Sequence, residues 1–426
     1  MSLLATNFRL AVKKEKDPRM STEARCDVGY STGFLNVDFT NGQVIHVKSE
    51  EKNLNQFYYS VGITDGSMAT FIGRAGCGKT TFIAQAAANI VRPFKTSCIF
   101  EDSVEGGLTW SRREVLSGFH DKELQERYIV RNSGVTAENF YQRIKMIHDM
   151  KLENPSEYMY DTGLLDTFGV PIRAFEPTIY ILDSIAMIMP DKYTSEDELS
   201  GGMSSTAGAK VIAQIMRTIV PMLKAANIIL FIVNHILEDV SINPMQHKKA
   251  QISFLNQGER LPKGNTVIYL SNNIVRIDDA EKLKDDAKFK VAGNISKITF
   301  VKSRTNRPNV ETKLVYDQDN GFDPILSLYL FLQEKGRVNG SGVGMYIDDK
   351  NDYKFSMGNI KDKLKNKPEF KAIFMKAAQE ELCKLPKLPS NEMEEQRSAT
   401  DDLYSMCMSC DPTVNDISNE METISV

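Results

Sequence analysis

Nothing limits the folding of this chain more than the stretch from Gly73 to Thr81, Gly-Arg-Ala-Gly-Cys-Gly-Lys-Thr-Thr, in which Gly73, Gly78, Lys79 and Thr80 satisfy the pattern G-x-x-x-x-G-K-[ST]. The apolar run Met68, Ala69, Thr70, Phe71, Ile72 before it reads as a buried strand. The residues after it, Phe82, Ile83, Ala86, Ala87 and Ile90, recur with the period of a helix. Strand, glycine-rich loop and helix in that order are the setting in which backbone amides close around a phosphate with a helix N-terminus behind them. Gly73, Arg74, Ala75, Gly76, Cys77, Gly78, Lys79, Thr80 and Thr81 are therefore the candidate nucleotide-binding residues. Lys79 is expected to reach the β- and γ-phosphates of ATP, and Thr80 to place its hydroxyl on Mg²⁺.

Further buried strands follow. Thr96 to Phe100 (TSCIF) ends in the acids Glu101, Asp102 and Glu105, and Thr178 to Asp183 (TIYILD) ends in Asp183-Ser184. Strand, crossover helix and strand argue for an α/β fold with a mostly parallel sheet flanked by helices, whose ligands lie beyond the carboxyl ends of the strands. Asp183 is then the second residue expected to handle the metal, beside Thr80. Glu105 or Glu101 is the candidate to orient a water. A helical pattern from Val211 to Leu223 leads to a fourth strand, Asn227 to Val233, and puts His235 at the same end of the sheet as a candidate sensor.

Two stretches lose all periodicity. Met187 to Ser205 gathers Pro, Gly, Ser and acids, and Ser241 to Gly264 carries Lys248, Lys249, Gln257, Arg260 and Lys263 around Phe254, a mixture suited to phosphates and a base face. Strand-like segments at Thr266 to Leu270, Ile274 to Ile277, Ile298 to Val301 and Thr312 to Tyr316 extend the sheet, and Gly33 to Val61 reads as short strands. Asp323 to Gln333 and Met357 to Leu382 read as helices of a small α+β module. The expected divisions are an arm (1–31), a core (32–322), a C-terminal module (323–387) and a flexible tail (388–426).

Composition narrows the class. With 42% hydrophobic and 25% charged residues the chain is an ordinary globular one. No run approaches the roughly 18 apolar residues of a membrane span, and Met1 to Lys16 lacks the apolar core of a signal peptide, so a cytoplasmic protein is expected. Six scattered cysteines argue against a disulfide framework, and Cys407-Met408-Ser409-Cys410, without a second pair, argues against zinc. From Ser390 to Val426 nine acids face the single base Arg397, a balance of −8 within a chain of −4, so the remainder carries +4. A mildly basic body suits contact with a polyanion, for which such a tail is a competitor; a merely solvating tail has the same composition.

Together the pieces resemble the RecA-type homologous recombinases, and among them the phage recombinases of the UvsX kind. The resemblance runs from about Thr32 to Leu382 through GRAGCGKTT, YILDS (Tyr180 to Ser184), FIVNH (Phe231 to His235), KGNTVIYLSN (Lys263 to Asn272), KSRT (Lys302 to Thr305) and EKGRV (Glu334 to Val338). It implies a RecA-like core and a DNA-dependent ATPase, in a bacterial or phage-infected cell. Such a protein forms helical filaments on single-stranded DNA and exchanges strands with a homologous duplex, beside mediator and single-strand-binding proteins. By position, Met187 to Ser205 with Met203 becomes the first DNA-binding loop. Ser241 to Gly264, with Lys248, Lys249, Arg260, Lys263 and Gly264, becomes the second. The resemblance further implies that Glu105, with Glu101 in reserve, polarises water, and that His235 reports the γ-phosphate. Lys302 and Arg304 would reach a neighbouring subunit's ATP. The DnaB-like hexameric helicases share the core and a Lys-x-Arg near an inter-subunit ATP, and stand as the alternative.

Overall fold

The computed structural model describes residues 28–49, 53–165, 170–193, 204–238, 252–262, 264–283 and 293–386. Most of the expected arm, all of the tail from 388 onward, and Met203, Lys248, Lys249 and Lys263 lie outside them. Among the described residues no helix is long and apolar enough to cross a membrane.

The centre is a nine-stranded sheet. Its strands are β1 (Met68–Gly73), β2 (Ile99–Ser103), β3 (Tyr128–Arg131), β4 (Thr178–Asp183), β5 (Ile228–His235), β6 (Asn273–Leu283), β7 (Gly293–Lys302), β8 (Val310–Asp317) and β9 (Gly321–Asp323). They lie in the order β9-β8-β7-β6-β1-β5-β4-β2-β3. The six from β6 to β3 are parallel, and β7, β8 and β9 extend that sheet antiparallel. All residues of β1 and β4 are buried, as continuous apolar runs covered on both faces must be.

Alternation along the strands sorts side chains between two layers. Phe71, Ile179, Ile181, Phe231 and Val233 pack with Phe82, Ile83 and Ala87 of helix Lys79–Val91 on one face. Met68, Tyr180, Leu182, Leu230 and Ile232 pack on the other with helices Ala137–Glu153 and Ser204–Ala226. A third cluster joins helices Pro324–Glu334 and Pro368–Leu382 to Ile295 and Val315 of the sheet. Asp323 caps the first of these helices by accepting from the amides of Ile325 (3.0 Å) and Leu326 (2.9 Å), with Pro324 at its first turn.

Four expectations are corrected. Thr266 to Leu270 belongs to a helix, Gly264–Leu270, because a five-residue apolar run does not distinguish helix from strand. Leu35–Thr40 is likewise a helix, and only Gln43–Ser49 and Leu54–Ser60 within Gly33 to Val61 form a hairpin. Met357 to Leu382 divides into helices Ile360–Asn366 and Pro368–Leu382, since Lys367 before the proline leaves the helical region (φ −127°, ψ 92°). Finally, β2 begins three residues later than Thr96, so Glu101 and Asp102 are inside the strand instead of beyond it.

Candidate functional site

β1 runs out at Gly73, and the chain returns through a loop whose Gly76 (φ +79°) and Gly78 (φ +88°) occupy the left-handed region that favours glycine. Gly73 is required by contact instead: a Cβ there would lie 2.3 Å from the carbonyl oxygen of Ile277. Helix Lys79–Val91 starts without any side-chain cap, which leaves its first amides facing the loop. The Lys79 side chain is buried and folds back to donate to the carbonyls of Gly73 (3.1 Å) and Arg74 (2.7 Å). Cys77 is buried beside it, and burial raises its thiol pKa against a lowering influence from Lys79. Arg74, Ala75 and Gly76 are exposed, and Thr81 is buried.

The second strand of the site arrives from far away in sequence. Thr80 Oγ1 donates to Asp183 Oδ2 at 2.8 Å, and Asp183 is only 3% exposed at the end of β4. Burial raises the Asp183 pKa, partly offset by the Thr80 hydrogen bond and reinforced by Glu105 and Glu101. The amide of Val104 donates to the carbonyl of Asp183 (2.7 Å), which swings the segment after β2 across the strand ends. Glu105 is thereby held at both oxygens: Ser184 Oγ donates to Oε1, and His235 Nε2 lies 3.0 Å from Oε2. One ligand atom from each of Glu105, Asp183 and His235 falls within 4.8 Å of the others. Gly107 passes over this cluster, where a Cβ would sit 3.8 Å from Asp183 Oδ2 and 3.9 Å from Thr80 Cγ2. The hydroxyl of Thr80 and the carboxylate of Asp183 are the hard oxygen donors that suit Mg²⁺.

Glu101 lies elsewhere. It is 3% exposed, and Arg113 grips it through Nη2 (2.6 Å to Oε1) and Nε (3.1 Å to Oε2), while the Tyr128 hydroxyl donates at 2.8 Å. On the other face Asp102 is bound by Arg143 and by the Tyr180 hydroxyl (2.6 Å). The sequence reading missed Arg113, Tyr128, Arg143 and Tyr180. An arginine on a helix and a tyrosine in an apolar run carry no mark of their partner until strand register is known.

Lys302 and Arg304 stand away from this chain's own loop. Lys302 pairs with Ile274, which pairs with Thr70 in β1, three residues before the loop opens at Gly73. Since β7 runs antiparallel to β6, the chain beyond Lys302 leads toward the opposite end of the parallel strands from the loop. Lys302 Nζ donates to the carbonyls of Ile268 (2.7 Å) and Tyr269 (3.0 Å), closing the end of helix Gly264–Leu270, and Arg304 and Tyr269 are exposed. Burial, then Arg304, lowers the Lys302 pKa.

Of the residues assigned to nucleic acid, Arg260 is exposed on the two-residue strand Glu259–Arg260 and Gly264 opens its helix. Phe254 packs partly buried against Ile72, Ile236, Leu255, Ile268 and Ile274, which turns its ring from a base-stacking surface into core. The segment is anchored by buried Glu259, gripped by Arg276 of β6 at 2.7 and 3.0 Å. Asn234, one residue before His235, donates to the carbonyl of Pro262 (3.0 Å). No protein-family model matches this chain, and no curated protein matches it.

Proposed function

We propose that this protein is a Mg²⁺-dependent ATPase of the RecA-like kind, one that assembles on single-stranded DNA and pairs it with a homologous duplex. The observation carrying the nucleotide part is the contact between Thr80 and Asp183, which joins a glycine loop with an uncapped helix to a buried carboxylate at a strand end. Lys79 and the loop amides bind the phosphates in this reading, and Thr80 and Asp183 hold the cation. Bound Mg²⁺ draws charge from the phosphate oxygens. Glu105 orients the attacking water, and His235, in contact with Glu105 Oε2, relates its position to the segment that Asn234 ties at Pro262.

The assembly part draws its support from Lys302 and Arg304. Their situation toward the far end of the sheet from the loop is what service to a nucleotide of another copy requires, through a head-to-tail contact of the kind that generates filaments or rings. ATPase activity with and without single-stranded DNA is the first test. A rate indifferent to DNA removes the recombinase reading, and turnover surviving Lys79→Ala removes the phosphate loop. Mixing inactive Lys79→Ala chains with inactive Arg304→Ala chains then tests sharing: restored hydrolysis is expected, and its absence refutes the inter-subunit role. Electron microscopy of the DNA complex with a non-hydrolysable ATP analogue distinguishes open filaments from the closed rings of a helicase.

A further inference from the structure

The ends of β2, β4 and β5 converge on a group of ligand atoms of which the phosphate loop engages only Asp183, through Thr80. Glu105, Asp183 and His235 come from three separate segments, and their ligand atoms lie within 4.8 Å of one another. Ser103 is an independent sign. It is 1% exposed, its hydroxyl has no hydrogen-bond partner among the described residues, and it stands directly across from Asp183 in the ladder between β2 and β4. Paired residues on adjacent strands project to one face, so the Ser103 hydroxyl and the Asp183 carboxylate emerge side by side. Buried hydroxyls without partners are uncommon and call for an explanation.

We propose that Glu105, Asp183 and His235 form a site for a divalent transition-metal cation of the Mn²⁺ or Co²⁺ type, with the Ser103 hydroxyl bonded to a water on that cation. Two carboxylates and one imidazole set the selectivity. Mg²⁺ favours oxygen donors and keeps its waters, whereas an imidazole nitrogen favours the first-row transition metals. The site meets the loop at one point, Asp183, where Thr80 engages only Oδ2 of the carboxylate. Occupancy ties Glu105 to Asp183 and His235, which withholds Glu105 from any water.

The test uses the full chain, stripped with a chelator and free of nucleotide, titrated with Mn²⁺ and followed by electron paramagnetic resonance. One Mn²⁺ per chain is expected, with a ¹⁴N coupling from imidazole that changes when the protein carries ¹⁵N-histidine. His235→Gln should remove the coupling and weaken binding at least about tenfold. Glu105→Gln should weaken binding and keep the coupling. His120→Ala, which removes an exposed pair with Glu114 (3.1 Å), should change nothing. Failure to bind Mn²⁺, binding without nitrogen coupling (an adventitious ion only), or a coupling that survives His235→Gln overturns the site. The labelling result on the unsubstituted chain stands whether or not a variant folds. Because no nucleotide is present, a negative outcome leaves the ATPase reading intact, and loss of that reading leaves this one intact.

Discussion

Glu101 and Glu105 are four residues apart on the same segment and have opposite fates. Glu101 is inside β2, sealed between Arg113 and Tyr128 with both oxygens taken by a fixed cation. Glu105 is past the strand end, exposed, and held by a hydroxyl and an imidazole, partners that can let go. A carboxylate neutralised by a buried guanidinium has no capacity left for chemistry, and its value is structural. A carboxylate at a mouth, held by neutral or titratable groups, keeps that capacity.

Exchanging each for glutamine should separate the two roles. Glu105→Gln is expected to lower the ATPase rate by about 10²–10⁴-fold, the usual contribution of a positioned acid or base, with the denaturant midpoint unchanged. Glu101→Gln should do the reverse and cost about 3–5 kcal/mol of stability, because Arg113 is left buried and unpaired. A Glu105 variant that unfolds early, or a Glu101 variant of full stability with no turnover, would show that the two carboxylates do not divide into a catalytic and a structural one.

The sequence carried the loop and Asp183 in full view, because a glycine pattern between strand and helix, and an apolar run ending in Asp, are local signals. The strand pattern did not separate Glu101 from Glu105, and only the resemblance put Glu105 first. That decision depends on where β2 ends and on Arg113 reaching back to it, and neither is local. The state of Thr266 to Leu270 is non-local for a related reason: Val267 (1% exposed) is buried in a cluster with Ile212, Met216 and Ile219 of helix Ser204–Ala226, while Tyr269 stays 76% exposed. Residues from Gly106 to Pro177 gave no motif, yet they hold β3 and the helix that supplies Arg143. The role of Lys302 in closing helix Gly264–Leu270 was invisible as well, since the two are 32 residues or more apart and meet only through the sheet.

Asp38 is a third acid, in yet another environment. It is buried like Glu101, but among the described residues its side-chain partners are Ser31 Oγ (2.5 Å), Thr32 N (2.9 Å) and Thr32 Oγ1 (2.6 Å), with no cation among them. Burial therefore raises its pKa from 3.8 to about 6, against those hydrogen bonds. The folded protein then holds a proton that the unfolded chain has released, so the contribution of Asp38 is present below pH 3.8 and lost as pH rises to about 6. At full size the loss is about 3 kcal/mol, and Asp38→Asn should remove it. Denaturant midpoints of the two proteins measured between pH 4 and pH 7 should diverge over that interval; parallel curves would mean that hydroxyls replace a guanidinium without penalty.

The smallest effect belongs to Arg74, whose guanidinium meets Glu238 at 3.0 Å with both side chains more than 60% exposed. Water screens this pair, so Arg74→Ala should change stability by less than about 1 kcal/mol, well below the effect of removing the Glu101 carboxylate. Arg74 nonetheless sits in the loop, and Glu238 follows His235 on the segment that pairs with Glu259–Arg260. If the pair only decorates the surface, nucleotide affinity and the DNA dependence of turnover should both persist in Arg74→Ala and in Glu238→Ala. A matching loss of DNA stimulation in the two variants, with affinity retained, would instead make an exposed ion pair the link between loop and DNA segment, and exposure alone would no longer divide structural from functional charge.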